Sequence, residues 1–215
     1  MLIFDVETAG LPNAADYLDP VQPDSRLVDP VKIAKSIQDK EEERLEKLGL
    51  DWNVGRIIAL GWTRNGTDAQ VAAFKTEDEE RLGITAFWAA YKNEDKHGPR
   101  LCGFNSYQFD VPFLIQRSRY LGITLPPVDR RKYDNRDMVD LFQLLTFDNQ
   151  QGVTSVMSRS LRSFARRFGI QVDDSVTGAD IGALVAEGNW AAVEQHCAAD
   201  VQTTYLLAKR MGIIQ

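Results

Sequence analysis

Apolar positions dominate residues 2–6, Leu-Ile-Phe-Asp-Val, with Asp5 the one interruption, and the run gives way to Glu7-Thr8-Ala9-Gly10-Leu11-Pro12. A short apolar run closed by Gly and Pro reads as a strand ending in a turn. From residue 13 to about residue 53 the pattern breaks. Prolines at 20, 23 and 30 precede a charged stretch over 32–47, and Asp29-Pro30 offers a helix cap followed by a first helical position. This segment is expected to be an inserted arm, extended and then helical. Its charged run is most simply a solvated helix laced by intrahelical ion pairs. Residues 56–63 and 69–75 are apolar or β-rich and join through Asn65-Gly66, a strong short hairpin signal.

Acidic residues 77–81 open a segment in which Phe87, Trp88 and Tyr91 share one helical face, a spacing that predicts core aromatics. Residues 101–104 form a short strand-like run ending at Asn105. Residues 111–121 then read as a helix, with Pro112 tolerated in its first turn and Asp110 at its N-terminus. Residues 137–145 suggest a short strand leading into a helix, 161–168 are amphipathic, and 181–185 and 190–211 complete a helical C-terminal third. No internal repeat or low-complexity tract stands out. Strands at the front, a hairpin and intervening helices predict an α/β domain around a mixed sheet.

At 215 residues the chain is most economically a single domain, 1–215, with the arm inserted at about 13–53. A hydrophobic share of 44% and a charged share of 26% are ordinary globular usage and exclude global disorder. No run approaches the roughly 18 apolar residues a membrane span requires, so a soluble, cytoplasmic protein is expected. Two cysteines, Cys102 and Cys197, predict reduced buried thiols rather than a disulfide scaffold or a zinc site. Nucleotide-binding glycine patterns are missing. The formal charge of −6 argues against bulk electrostatic attraction to nucleic acid.

The acids themselves are more informative. In an extended strand residues i and i+2 project to the same face, which puts Asp5 beside Glu7. Two like charges in an apolar strand need a neutralising partner, and a hard divalent cation such as Mg²⁺ or Mn²⁺ provides one through oxygen ligands. Alternatively they mark a solvated strand end. Two later segments bear on the choice. Asn105-Ser106-Tyr107-Gln108-Phe109-Asp110 follows a strand, and His196-Cys197-Ala198-Ala199-Asp200 puts His196 and Asp200 one turn apart on a helix.

The succession DxE, N-x-x-x-F-D and a helical [Y/H]-x-x-x-D resembles the DEDD superfamily of 3′→5′ exonucleases. Within it the chain is most similar to the group related to the proofreading domain of family B DNA polymerases. The resemblance implies a ribonuclease H-like fold, a mixed five-stranded sheet with helices on both faces and the DxE strand at its centre. It further implies a two-metal-ion hydrolase that releases nucleoside 5′-monophosphates from DNA or RNA. Asp5 would bridge both ions, Glu7 and Asp200 would complete the nucleophile-side ion, and Asp110 would support the second. Two such ions, roughly 3.5–4 Å apart, acidify a bound water and stabilise the attacking and leaving oxygens. By the same resemblance Thr8 and Leu11 would hold the 3′-terminal nucleotide and Asn105 would bond near the scissile one. Residue types alone leave Leu11 as an ordinary buried leucine and Asn105 as a turn residue.

His196 departs from the pattern. The tyrosine-type subgroup has Tyr four residues before the last Asp and the histidine-type has His five before it, whereas this chain has a histidine at the tyrosine spacing. An imidazole there can orient or deprotonate a water, or be a polar helix residue and no more. Arg117, Arg119, Arg130, Arg131 and Lys132, and on a later helix Arg162, Arg166 and Arg167, are candidate phosphate contacts or solvated surface. The expected partner is nucleic acid with a free 3′ end, single-stranded or frayed DNA foremost. The competing reading is a catalytically silent domain of the same fold that binds nucleic acid or a replication or repair protein. An endonuclease of the ribonuclease H type is a third. Because the four acids would be neutralised locally, the net charge predicts weak, salt-sensitive binding rather than none.

Overall fold

The computed structural model describes residues 1–129, 137–147, 156–173 and 175–215. Arg130, Arg131 and Lys132 lie outside the described residues. The chain divides into two compact units, one made of Met1–Glu7 with Ile57–Gln215 and the other of Thr8–Arg56.

Strand β1 runs Leu2–Gly10, β2 Gly55–Thr63, β3 Gln70–Ala73, β4 Leu101–Gly103 and β5 Met138–Asp140, in the sheet order β3-β2-β1-β4-β5. β1 is therefore central. It pairs in parallel with β4, Leu2 opposite Leu101, and β4 pairs in parallel with β5, Gly103 opposite Asp140, while β2 and β3 are antiparallel. The sheet is mixed, as the alternation of strand and helix patterns predicts.

Period-two alternation in β1 divides its side chains between two cores. Leu2, Phe4 and Val6 join a cluster with Phe87, Trp88 and Tyr91 of α2 (Glu77–Lys92) and with Phe113 and Leu114 of α3 (Asp110–Tyr120). Ile3 instead joins Cys102, with Leu161 and Ala165 of α5 (Leu161–Arg167) and Leu207 and Ala208 of α7 (Trp190–Arg210). Helices thus cover both faces, and Asp5 and Glu7 share the α5/α7 side with Ile3. The three α2 aromatics are core, as their spacing predicts, and stack edge to face at 5.2 and 5.5 Å between centroids.

Helix α7 reaches the sheet because Gly61 of β2 lies under it. A Cβ at that position would come within 2.9 Å of Val201 Cγ2 and 3.2 Å of Cys197 Sγ. A glycine here leaves room for the helix carrying His196 and Asp200 to approach this closely. Both cysteines are free and buried, and no helix among the described residues is long and apolar enough to cross a membrane.

The strands expected over 56–63 and 69–75 form an antiparallel hairpin through Asn65-Gly66: β2 stops at Thr63 and β3 resumes at Gln70, with Trp62 opposite Gln70. Asn65 Oδ1 accepts the backbone N–H of Thr67 and of Asp68, at 2.9 and 3.1 Å. The Asn side chain thus organises a longer loop. Arg117, grouped by sequence with surface basic residues, is instead buried. It forms a bidentate pair with fully buried Glu80 at 2.7 and 2.8 Å and bonds Glu77 at 3.0 Å.

In the Thr8–Arg56 unit the expected helix is α1, Pro30–Glu46, and Asp29 caps it by accepting from the N–H of Val31 at 2.8 Å. Lys40 and Arg44 donate to the carbonyls of Gln22 and Asp19, so the extended stretch is fastened to the helix. Lys47 and Glu43 form an intrahelical-type i,i+4 ion pair. The unit starts earlier than the composition change at residue 13, because Thr8 Oγ1 donates to the Gly49 carbonyl and Gly49 lies against Ala9.

Candidate active site

Parallel strands place their C-terminal ends on one edge of a sheet, and the segments that follow them meet there. β1 brings Asp5 and Glu7 to this edge, β4 leads into Asn105, and α3 starts at Asp110. Across them lies α7, whose inner stripe includes His196, Cys197, Val201 and Thr204. A cavity of about 420 Å³ is lined by Asp5, Glu7, Asn105, Asp110, His196 and Asp200, together with Phe104, Phe109 and Arg162. All of these lining residues belong to the Met1–Glu7/Ile57–Gln215 unit.

The carboxylates are crowded and poorly hydrated. Glu7 is 8% and Asp110 4% exposed. Burial first, and then the neighbouring Glu7, Asp110 and Asp200 charges, holds Asp5 well above the usual carboxylate range. Burial likewise raises Glu7, helped by Asp200 and Asp110, and raises Asp200. Asp110 is pushed up to about 7, again by burial, although its Oδ1 accepts the Val6 N–H at 3.1 Å. That bond fastens the start of α3 to the central strand.

Such a cluster must take up either protons or a cation. One carboxylate oxygen each of Asp5 and Glu7 lies within 4.8 Å of the other and of Cys197 Sγ, and one atom each of Glu7, His196 and Asp200 falls within the same span. Burial pushes the Cys197 thiol up, and its Sγ donates to the Asp5 carbonyl at 3.7 Å. The carboxylate oxygens suit a hard divalent cation.

Asn105 adopts a left-handed conformation, φ 57°, which Asn tolerates better than most residues. Its carbonyl accepts the N–H groups of Gln108 and Phe109, both at 3.2 Å, so the chain turns sharply from β4 into α3. Just upstream a Cβ on Gly103 would meet Ser106 Oγ at 2.2 Å, which makes glycine necessary at that strand end.

Asp140 anchors the turn from behind, and sequence reasoning missed it. Its carboxylate accepts the N–H of Asn105 and Tyr107, each at 2.9 Å, and of Phe142 and Gln143 at 2.9 and 3.3 Å. It therefore caps α4 (Leu141–Leu145) while holding the Asn105 turn. An Asp between a strand and an apolar helical run is a cap signal the sequence does carry; its second duty is not visible there. Asp140→Ala is expected to cost about 1–3 kcal/mol, the penalty of orphaned buried donors. It should also speed amide exchange at Asn105 and Tyr107. Urea denaturation and hydrogen exchange check both effects, and an unchanged midpoint with unchanged exchange contradicts this role.

Of the residues singled out by sequence, Asp5, Glu7, Asn105, Asp110, His196 and Asp200 line one cavity. Thr8 and Leu11 belong to the other unit, where Thr8 Oγ1 donates to Gly49 and the Leu11 N–H donates to the Val54 carbonyl at 2.8 Å. The α5 arginines separate: Arg162 lines the cavity, whereas Arg166 and Arg167 are exposed. His97 sits in an exposed turn.

A mixed sheet with β1 at its centre and acidic side chains at the ends of its parallel strands defines a ribonuclease H-like α/β domain. The chain belongs to the family described as predicted 3′-5′ exonuclease related to the exonuclease domain of PolB, whose profile matches residues 50–215. The matched stretch holds Asp110, His196 and Asp200 and begins after Asp5 and Glu7. The structure is similar to the family B DNA polymerase from the hyperthermophilic archaeon Pyrobaculum calidifontis, with a TM-score of 0.61 and 18% identity over 98% of this chain and 24% of the polymerase. The chain thus spans about a quarter of that polymerase's length, and the likeness is one of fold. No curated protein sequence matches the chain.

Proposed function

We propose that this chain is a divalent-metal-dependent 3′→5′ exonuclease acting on DNA or RNA, single-stranded or frayed ends foremost. The observation that supports this most is the convergence of Asp5, Glu7, Asp110 and Asp200, from three separate elements, on one cavity of a ribonuclease H-like sheet. Asp5, Glu7, Asp110 and Asp200 would hold Mg²⁺ or Mn²⁺, two ions by the family resemblance. Bound there, the ions supply an acidified water and neutralise charge on the attacking and leaving oxygens.

The chain's own residues would do the rest. Asn105, fixed by its turn and by Asp140, would bond the scissile nucleotide. Phe104 and Phe109 would give the cavity an aromatic wall beside a bound base. Arg162 brings the cationic group of that wall. Thr8 and Leu11 enter this reading, as contacts to the terminal nucleotide, on the strength of the resemblance alone. In the same reading the Thr8–Arg56 unit is an insertion in an exonuclease domain.

A catalytically silent domain accounts less well for the site, because four crowded acids without a cation are a standing destabilisation. Chromatography of a digest tests the proposal. Nucleoside 5′-monophosphates should appear with Mg²⁺ or Mn²⁺, vanish with EDTA and return when the metal is restored. Failure to release nucleotides from any single-stranded DNA or RNA, with either ion, overturns it.

A further inference from the structure

The Arg162–His196 contact decides which ring nitrogen of His196 carries hydrogen. Arg162 Nη2 has two hydrogens: one is donated to the Val176 carbonyl, and the other is directed at His196 Nδ1, 3.3 Å away. A guanidinium has no lone pair to offer and keeps its protons at any ordinary pH. Nδ1 must therefore be the bare, accepting nitrogen, and in the neutral ring the hydrogen lies on Nε2. Nε2 faces Glu7 Oε1 at 3.4 Å and Asp200 Oδ2 at 3.8 Å. His196 is 5% exposed.

We propose that Arg162 is a positioning residue that fixes His196 in the Nε2–H tautomer, with that hydrogen on the side of the Glu7 and Asp200 carboxylates. In that state Nε2 has no lone pair, and His196 neither accepts a proton there nor ligates a cation. The sequence leaves open whether an imidazole at the tyrosine spacing orients a water or deprotonates it; the contact with Arg162 selects the tautomer with its hydrogen on the side of the acids. A phenol at that position would carry its own O–H, whereas an imidazole needs a partner to choose its tautomer. Arg162 fills that need. The inference rests on the proposed exonuclease site for its functional meaning, but the tautomer is measurable without any activity.

Two histidines in the chain, His97 and His196, make the test direct. A long-range ¹H–¹⁵N correlation spectrum of the metal-free, ¹⁵N-labelled full chain should show His196 Nδ1 at the shift of a bare nitrogen and Nε2 at that of a protonated one. The signal missing from His196→Gln assigns it. Arg162→Met should abolish this fixed pattern. A wild-type spectrum with hydrogen on Nδ1, or a pattern untouched in Arg162→Met, overturns the inference.

Turnover gives an independent readout. Gln can present an N–H where Nε2 stands but cannot exchange a proton at neutral pH. His196→Gln should keep kcat within about tenfold of wild type, whereas His196→Ala should lose about 10²-fold or more in kcat with KM little changed, the range of a lost acid–base or orienting group. Equal losses in both variants overturn the role of the Nε2–H. If wild type releases no nucleotide at all, the exonuclease reading fails while the tautomer assignment stands. If wild type is active but the hydrogen is on Nδ1, the inference alone fails.

Discussion

Asp5→Asn is expected to suppress nucleotide release by about 10³-fold or more while raising the melting temperature of the metal-free protein. The two effects have one origin. Asp5 lies in the middle of the cluster, and its carboxyl is raised by burial and by Glu7, Asp110 and Asp200 together. An uncharged amide of the same shape relieves that repulsion, and each kcal/mol regained is worth about 2–4 °C at this chain length. The same amide binds divalent cations poorly, and loss of several kcal/mol of charge stabilisation corresponds to the stated drop, about tenfold per 1.4 kcal/mol. Thermal melts should show Mn²⁺ stabilising wild type and leaving Asp5→Asn unmoved. An active variant, or a metal-free variant less stable than wild type, contradicts the picture of a cluster held apart from its cation.

Arg117→Met is expected to be the most destabilising of the surface-looking basic substitutions, by about 3–5 kcal/mol, which is on the order of 10 °C in Tm. Removing the guanidinium strips Glu80, fully buried, of its bidentate ion pair. Glu80 Oε1 also accepts the Ile57 N–H at 2.8 Å, so the strain would be felt in β2. Combining Arg117→Met with Glu80→Gln should recover most of the loss, since the amide oxygen still serves Ile57 and the buried carboxylate charge that Arg117 paired is gone. Denaturant titrations of the two single variants and the double variant check this. A single variant that unfolds at the wild-type midpoint contradicts it.

Arg117 also illustrates what the sequence could and could not tell. Its helix, and the apolar stripe of that helix, are legible from local periodicity. Its acidic partner stands 37 positions away in sequence, and periodicity along one helix says nothing about what faces it. The central strand is the opposite case: alternation alone places Asp5 and Glu7 on one face and Leu2, Phe4 and Val6 on the other, and the structure has them so. His196 and Asp200 share a face because a helical turn is nearly four residues, and that too is local.

What sequence missed at the site depends on contacts between distant segments. Asp140 reads as a helix cap, yet it also bonds Asn105 and Tyr107 from a neighbouring strand. Arg162, Arg166 and Arg167 read alike as one basic helix, and the placement of α5 over the sheet edge is what turns Arg162 inward. The hairpin through Asn65-Gly66 was legible because its signal is local, and Asn65 orders the loop with its side chain on Thr67 and Asp68.

The most direct test of the central claim is the polarity of digestion in the presence of Mg²⁺ or Mn²⁺. A single-stranded oligonucleotide labelled at its 5′ end is sampled over time beside an identical strand labelled at its 3′ end. A ladder that shortens one nucleotide at a time from the 5′-labelled strand, with immediate loss of the 3′ label as mononucleotide, is the predicted result. Internal fragments, or release of the 5′ label first, would contradict it.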